Sequence, residues 1–389
     1  MEILFLAHRV PFPPDRGDKI RSFHVLRHLA ARARVHLVAF ADDLRDLTPP
    51  PEFRALLGEC VVVERSKPRW RAGVEALASG RPLSLAAFDD ARVHAAVARI
   101  VRERGIDRVY AFSGQMAQYL PAGVPAIMDF VDADSAKFAA FAEDARGVSR
   151  WMYRREARLL GAYERAVTAR VEASLFVSAE EAALVPGARA LENGIDTGVF
   201  DPAAAFVPVI GQGRLIVFTG QMDYKPNVDA VIAFAREVLP QVREAHPEVR
   251  FAIVGRAPVR EVRALASEAV IVTGEVPDVR GWLAAADVVV APLALARGIQ
   301  NKVLEAMAMA RAVVASPAAA EGIDHAGTIR VAAGPAMGEA VTRLLDDAEE
   351  ARALGQAARA RVRARYAWDA CLAPLDAMMG LDAPVRAAA

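Results

Sequence analysis

Short runs of β-branched and other apolar residues alternate with longer amphipathic stretches along almost the whole chain. The apolar runs predict strands at 3–6, 35–40, 60–63, 108–111, 126–130 and 174–177. A second series follows at 215–219, 250–254, 270–273, 288–291 and 312–315. Runs without polar alternation suit strands buried on both faces, and the amphipathic segments suit helices that cover those faces. The first such helix sets Ile20, Phe23, Leu26 and Ala30 on one side. The pattern therefore predicts an α/β protein with parallel sheets.

Between the two series, Asp201–Pro208 and then Gly211, Gln212 and Gly213 follow neither period, which marks a linker. The predicted organisation is a Rossmann-like domain over 1–200, a linker over 201–213 and a second Rossmann-like domain over 214–366. A last helical segment, 367–389, is expected to pack back on the first domain and end in a frayed tail. Doubly wound sheets bind ligands beyond the carboxyl ends of their strands, so two of them facing each other predict a site in the cleft.

A length of 389 residues agrees with two cores of ordinary size. The 48 basic side chains balance 48 acidic ones, so the excess positive charge of a nucleic-acid-binding protein is missing. The opening Met1–Leu6 carries Glu2 and is too short for a signal-peptide core. No apolar run reaches the roughly 18 residues of a membrane span. Cys60 and Cys371 stand far apart and in no metal-ligand spacing. A cytoplasmic protein with two reduced thiols is the expectation.

The segment Arg297–Ala310 carries the most chemistry. It follows the strand ending at Ala291 and opens a helix. Gly298, Ile299, Gln300 and Asn301 are thus expected to present backbone amides at a helix N-terminus, where anions bind. Lys302 and Glu305 share one helix face, which suits a phosphate beside a pair of ribose hydroxyls. By spacing alone, a solvated salt bridge accounts for the pair equally well. In the first domain, Gly17 permits close approach of a ligand to a helix N-terminus, with Asp18 following and Arg21 one turn inside for a phosphate. An ordinary tight turn with a surface arginine is the competing reading. Asp132 and Asp134 form an Asp-x-Asp string of the kind that holds a divalent ion on a diphosphate, while a helix N-cap at Asp134 or Ser135 is the plainer alternative.

The segment from Arg297 resembles the nucleotide-sugar signature of glycosyltransferase family four, Glu-Gly-Phe-Gly-x-x-x-x-Glu-Ala. Glu305-Ala306 matches its close and Gly298 its second residue, whereas Arg297 stands for the opening Glu and Gln300 for the second Gly. Pro11–Phe23, Glu192–Phe200 and Gly220–Asn227 are similar to other stretches of that family, so the resemblance covers nearly the whole chain. It lies nearest the sugar transferases associated with exosortase-type exopolysaccharide loci.

The resemblance implies a GT-B fold, two Rossmann-like domains facing across a cleft. It implies transfer of a sugar from a nucleoside-diphosphate sugar, with retention of configuration and without metal or other cofactor. Glu305 would bind the donor ribose, Gly220 and the backbone near Val276 would meet the donor, and Lys225 and Lys302 would meet its diphosphate. Gln221 stands where a family arginine is common, so one cation is missing there and Lys302 is the expected replacement. Arg297 either recognises an acidic sugar or points into solvent. Asp132 is assigned to a sugar or acceptor hydroxyl, and Gly17, Asp18, Arg21 and Asp134 to the acceptor or phosphate side.

The acceptor expected is a lipid-linked saccharide, and nucleic acid is not. The arginines and aromatics over 146–170 suit either peripheral contact with the anionic inner face of the plasma membrane or a helix that covers the core with Trp151 and Leu159. Rival functions are a nucleotide-sugar epimerase or phosphorylase on the same fold, and a non-catalytic nucleotide-sugar binder.

Overall fold

The computed structural model describes residues 1–210, 213–296 and 298–381. Gly211 and Gln212 of the expected linker, Arg297 and the expected tail at 382–389 lie outside the described residues. Contacts divide the chain into two units, one of Met1–Asn193 with the segment from Cys371, the other of Gly194–Ala370.

The first unit holds β1 (Glu2–Ala7), β2 (Arg34–Ala41), β3 (Cys60–Glu64), β4 (Arg108–Phe112), β5 (Ala126–Val131), β6 (Ala173–Phe176) and β7 (Arg189–Ala190). They form one parallel sheet in the order β3-β2-β1-β4-β5-β6-β7. The second unit holds β8 (Leu215–Thr219), β9 (Arg250–Val254), β10 (Val270–Gly274), β11 (Val288–Ala291), β12 (Ala312–Ala315) and β13 (Arg330–Val331). Its parallel order is β10-β9-β8-β11-β12-β13. Both are doubly wound Rossmann-like sheets, as expected. The strand order reverses between β1 and β4 and between β8 and β11, and at such a point the diverging loops leave a crevice. The edge strands β7 and β13 were not anticipated, because two residues carry no pattern to read.

Each sheet is buried on both sides, with Leu4, Leu6, Val38 and Ala111 in one core and Val217, Ile253, Val289 and Val313 in the other. The division falls at Asn193 and Gly194 rather than within 201–213. The proline-bearing stretch is not a free linker but part of the second unit's surface. Asp201 pairs with Arg359 at 2.7 Å, and Phe206 lies 6.0 Å beneath the Arg280 guanidinium. The carbonyl of Val207 sits where only Gly281 leaves room, since a Cβ there would fall 2.2 Å from it. The helix Trp368–Met379 brings Asp376 within 2.8 Å of His28 Nε2 and 3.3 Å of Arg32 Nε.

One side chain does the opposite of what was expected. Arg21, assigned to a phosphate, is 1% exposed and turns into the core of the first unit. Its Nε donates to Asp129 Oδ2 at 2.9 Å and its Nη2 to Oδ1 at 3.2 Å, a bidentate pair. Its Nη1 donates to the carbonyl of Leu191 and to Asn193 Oδ1. Tyr110 completes the cluster with a 2.6 Å bond to Asp129. A wholly buried carboxylate in β5 needs a counter-charge, and Arg21 is the cation that its helix brings there.

Removing that counter-charge leaves a buried carboxylate with no cation to offset its charge. Arg21→Met is expected to destabilise the first unit by about 3–5 kcal/mol, and Tyr110→Phe by about 1–2 kcal/mol. The urea midpoint of that unit's unfolding measures both, and equal midpoints for Arg21→Met and the parent would rule out the clamp.

Candidate functional site

In the second unit the crevice between β8 and β11 is bounded by the loop after Thr219 and by the segment that opens the helix Asn301–Ala308. Gly298 takes a left-handed φ of 64°, and Gln300 precedes the helix without a side-chain cap, its amide turned back 3.1 Å to the carbonyl of Gly298. The first amides of the helix are thus not closed off by the residue before it. On the opposite wall, Gly255 has its Cα against the carbonyl of Gly220, where a Cβ would fall 1.6 Å from the oxygen. Only glycine lets the loops after β8 and β9 meet so closely.

The cavity there has a volume of about 560 Å³, within the range of small-molecule sites. Gly220, Val276, Asn301, Lys302 and Glu305, all expected at a donor site, line it. An adjoining hollow of about 500 Å³ shares Lys302 with it and adds Gln300, Tyr224 and Asp223. Lys302 spans the crevice. Its Nζ donates to Asn227 Oδ1 at 2.5 Å, while Asn227 Nδ2 donates to the carbonyl of Gln221 at 2.9 Å. The ammonium also lies 4.6 Å from the centre of the Phe218 ring.

Burial lowers the Lys302 pKa to about 8, against the opposing pull of Glu305. Burial raises the Glu305 carboxyl to about 7, against the opposing pull of Lys302. A solvated salt bridge, the alternative on spacing, would show neither shift.

Thr219, Asn227 and Arg256 are among the lining residues that were not singled out in the sequence. Thr219 is buried, and its Oγ1 finds no hydrogen-bond partner among the described residues. Asn227 holds Lys302. Arg256, just beyond β9, reaches Gln221 Oε1 at 3.2 Å and supplies a cation beside the residue that replaces the family arginine. The signal for Arg256 was its place directly after Gly255 at a strand end, legible only once β8 and β9 are known to be neighbours.

Other expected positions lie elsewhere. Lys225 is 83% exposed, is not among the residues lining either hollow, and gives its charge to Asp229 at 2.8 Å, the natural i, i+4 partner on its helix. Gly298 and Ile299 shape the turn without lining the cavity; Ile299 packs on the core. Arg297 lies outside the described residues.

The remaining candidates belong to the first unit. The N-terminus of the helix at Gly17 is open, with nothing near its Cα. Asp18 is committed to neighbours: Arg9 donates to it at 2.5 Å and His8 Nε2 lies 3.2 Å away. Partial burial works against its ionisation, but these two hydrogen bonds prevail and hold its carboxyl well below the usual range. Asp132 is exposed beyond β5. Asp134 accepts from Gln115 at 3.3 Å, and burial pushes its carboxyl up. Neither Asp134 nor Ser135 caps the following helix through its side chain; Glu164 does, accepting from Ser135 N at 3.0 Å. Among the described residues no acidic, histidine or cysteine group is arranged to hold a metal ion.

Residues 213–347 match the family model described as glycosyl transferases group 1. No curated protein sequence matches the chain. Among solved structures, sucrose-phosphate synthase from Thermosynechococcus elongatus is similar with a TM-score of 0.59 at 17% identity, covering 97% of this chain and 98% of that one. HepE from Anabaena, solved in complex with UDP-glucose, gives 0.55 at 14%, covering 98% and 99%. WaaG, described as a glycosyltransferase involved in lipopolysaccharide biosynthesis, gives 0.58 at 18%, covering 97% and 100%. Identities this low speak to the fold, which is GT-B.

The titration of Glu305 bears on stability with a definite sign. Its folded pKa lies above the unfolded value, so the native state holds an extra proton between about 4.5 and 7, and stability falls as pH rises through that window. Glu305→Gln is therefore expected to melt higher than the parent at pH above 7, by roughly 1–2 kcal/mol, with the advantage gone near pH 4.5. Calorimetric melts across that range measure it; a lower melting temperature for the variant at high pH would contradict a carboxylate held at the expense of stability.

Proposed function

We propose that this chain, a glycosyltransferase whose residues 213–347 make up a group 1 domain, moves a sugar from a nucleoside-diphosphate sugar to a lipid-linked saccharide. The acceptor would be a growing polysaccharide of the exopolysaccharide class, extended at the cytoplasmic face of the membrane. The observation that carries the donor half is the cavity at the β8/β11 crevice, lined by the N-terminus of the helix Asn301–Ala308, by Lys302 and Glu305 on that helix, and by Arg256. Cations and amides suit a diphosphate, and the carboxylate of Glu305 suits a pair of ribose hydroxyls.

The bond from the anomeric carbon to the diphosphate breaks while the acceptor hydroxyl adds to the same face and gives its proton to the departing diphosphate oxygen, which retains configuration. Charge grows on the departing oxygen, so groups aimed at it count for more in the transition state than in the ground state. Lys302 and the amides of Asn301 and Lys302 have that task. Arg256 holds the diphosphate. Thr219 Oγ1 is a ready donor to the same ligand. No side chain acts as nucleophile. Asp132 stays on the acceptor side, while Lys225 enters only if it leaves Asp229.

Two sets of measurements test the reading. Glu305→Gln should weaken binding of UDP about ten- to a hundredfold in calorimetry, the loss of a charge-assisted hydrogen bond. Lys302→Met should instead lower kcat more than donor affinity. Equal loss of donor affinity in both would mean that Lys302 only binds.

The pH profile separates the two groups as well. Glu305 must be ionised and Lys302 protonated, so kcat/KM should rise towards pH 7 and fall beyond about 8. Glu305→Gln removes the acid limb and Lys302→Met the alkaline limb. A chelator should leave transfer intact, and loss restored by magnesium or manganese would replace these cations with a metal.

A further inference from the structure

Two helices of the first unit expose apolar side chains that no part of the described chain covers. On the helix Arg69–Ser79, Trp70, Val74 and Leu77 recur at i, i+4 and i+7 on one face, while Ala72 and Ala76 are buried on the other. Trp70 is 73% exposed. On the helix Gly147–Thr168, Val148 and Trp151 stand out from the first two turns, Val148 at 77% exposure. Trp151 therefore does not cover the core, although Leu160 and Val167 further along the same helix do and Leu159 is half-buried.

The two helices are joined by a pair of adjacent residues. Arg155 donates to the carbonyls of Ala76 and Arg81, at 2.7 and 3.1 Å, closing the end of the first helix. Glu156 accepts from the amides of Leu83 and Ser84, each at 2.8 Å, closing the start of the next one. Trp151 lies one turn before Arg155, and Leu77 follows Ala76. The two apolar stripes thus run up to the same junction.

Charge decides what could cover them. Over 66–81 and 145–158 there are nine basic side chains and two acidic ones. Of the acids, Glu156 is buried in the junction and Glu75 is held by Lys67 and Arg71. Arg69, Arg146, Arg150, Arg154 and Arg158 remain exposed along the stripes; outside them Asp89 pairs with Arg81 at 2.7 Å, and Glu64, Glu143 and Asp144 are exposed acids. Tryptophans on an apolar stripe edged by arginines match the interface of an anionic bilayer, rings at headgroup depth and guanidiniums among the phosphates.

We propose that the outer face of Arg69–Ser79 and the first turns of Gly147–Thr168 form one docking surface for an anionic lipid bilayer. It extends the peripheral contact from one helix to two and rests on the lipid-linked acceptor of the proposed function.

The test is co-sedimentation of the full chain with phosphatidylcholine vesicles, with and without phosphatidylglycerol. Binding is expected only with the anionic lipid, and to weaken with salt. Trp70→Ser with Leu77→Ser should reduce partitioning about tenfold or more, and Arg150→Gln with Arg154→Gln about fivefold per charge. These side chains are exposed, so melting temperatures should match the parent. The Trp70 emission, read as the difference between the parent and Trp70→Phe, should shift to the blue with anionic vesicles.

Binding untouched by the Trp70 and Leu77 changes would overturn the two-helix surface in favour of the second helix alone. Absence of binding, or a dimer lost with the same changes, would overturn the bilayer as occupant. UDP titrated into the same protein keeps the two ideas separate. Binding of UDP but not of anionic vesicles rejects only the surface, and binding of anionic vesicles but not of UDP rejects only the donor reading.

Discussion

The buried pair of Arg21 and Asp129 is the constraint on which the first unit is arranged. A carboxylate with no access to water must have every oxygen occupied, and here the partners come from three places. The first helix gives Arg21, β4 gives Tyr110, and the turn at the last residue of β5 gives the amide of Val131, 3.1 Å from Asp129 Oδ1. Through Arg21 the same cluster holds Leu191 and Asn193, the last residues before the chain enters the second unit. Val131 takes a φ of 72°, strained for a β-branched residue, and the bond to Asp129 helps to hold it. That turn delivers Asp132 and Asp134 to the end of the sheet.

The second unit solves a related problem with the opposite outcome. Lys302 and Glu305 are also withdrawn from water, but their neighbours leave them unevenly satisfied. Among the described residues Lys302 has one oxygen, from Asn227, and Glu305 has no short partner beyond the attraction of Lys302. Burial therefore moves both pKa values towards neutrality instead of fixing a tight pair. A charge kept under-solvated gains more from a ligand than one already paired, which is why such groups gather at sites. Arg21 shows no such reserve. Its donors are taken up by protein, which removes it from ligand chemistry.

The strands and the doubly wound layout were legible because strands buried on both faces leave uninterrupted apolar runs. All eleven longer strands announce themselves that way, and the two-residue β7 and β13 do not. The helix bearing Lys302 and Glu305 was legible too, since i, i+3 spacing after a strand end fixes a shared face. What the spacing left open was whether the pair is solvated or buried. That depends on Phe218, Asn227 and Gly220, which come from another strand and its loop.

The sequence by itself therefore determined the two sheets and the stretch of chain that carries the group 1 signature, because periodicity and local spacing are properties of neighbours along the chain. Only the tertiary structure decided which charges are available to a ligand. Arg21 and Lys225 read as phosphate ligands, yet one is claimed by Asp129 from a distant strand and the other by Asp229. Arg256 read as nothing, yet it lies at the cavity because β9 pairs with β8. A cation's role is set by the nearest unpaired acceptor in space, and for Arg21 and Arg256 folding brings that acceptor from far along the chain.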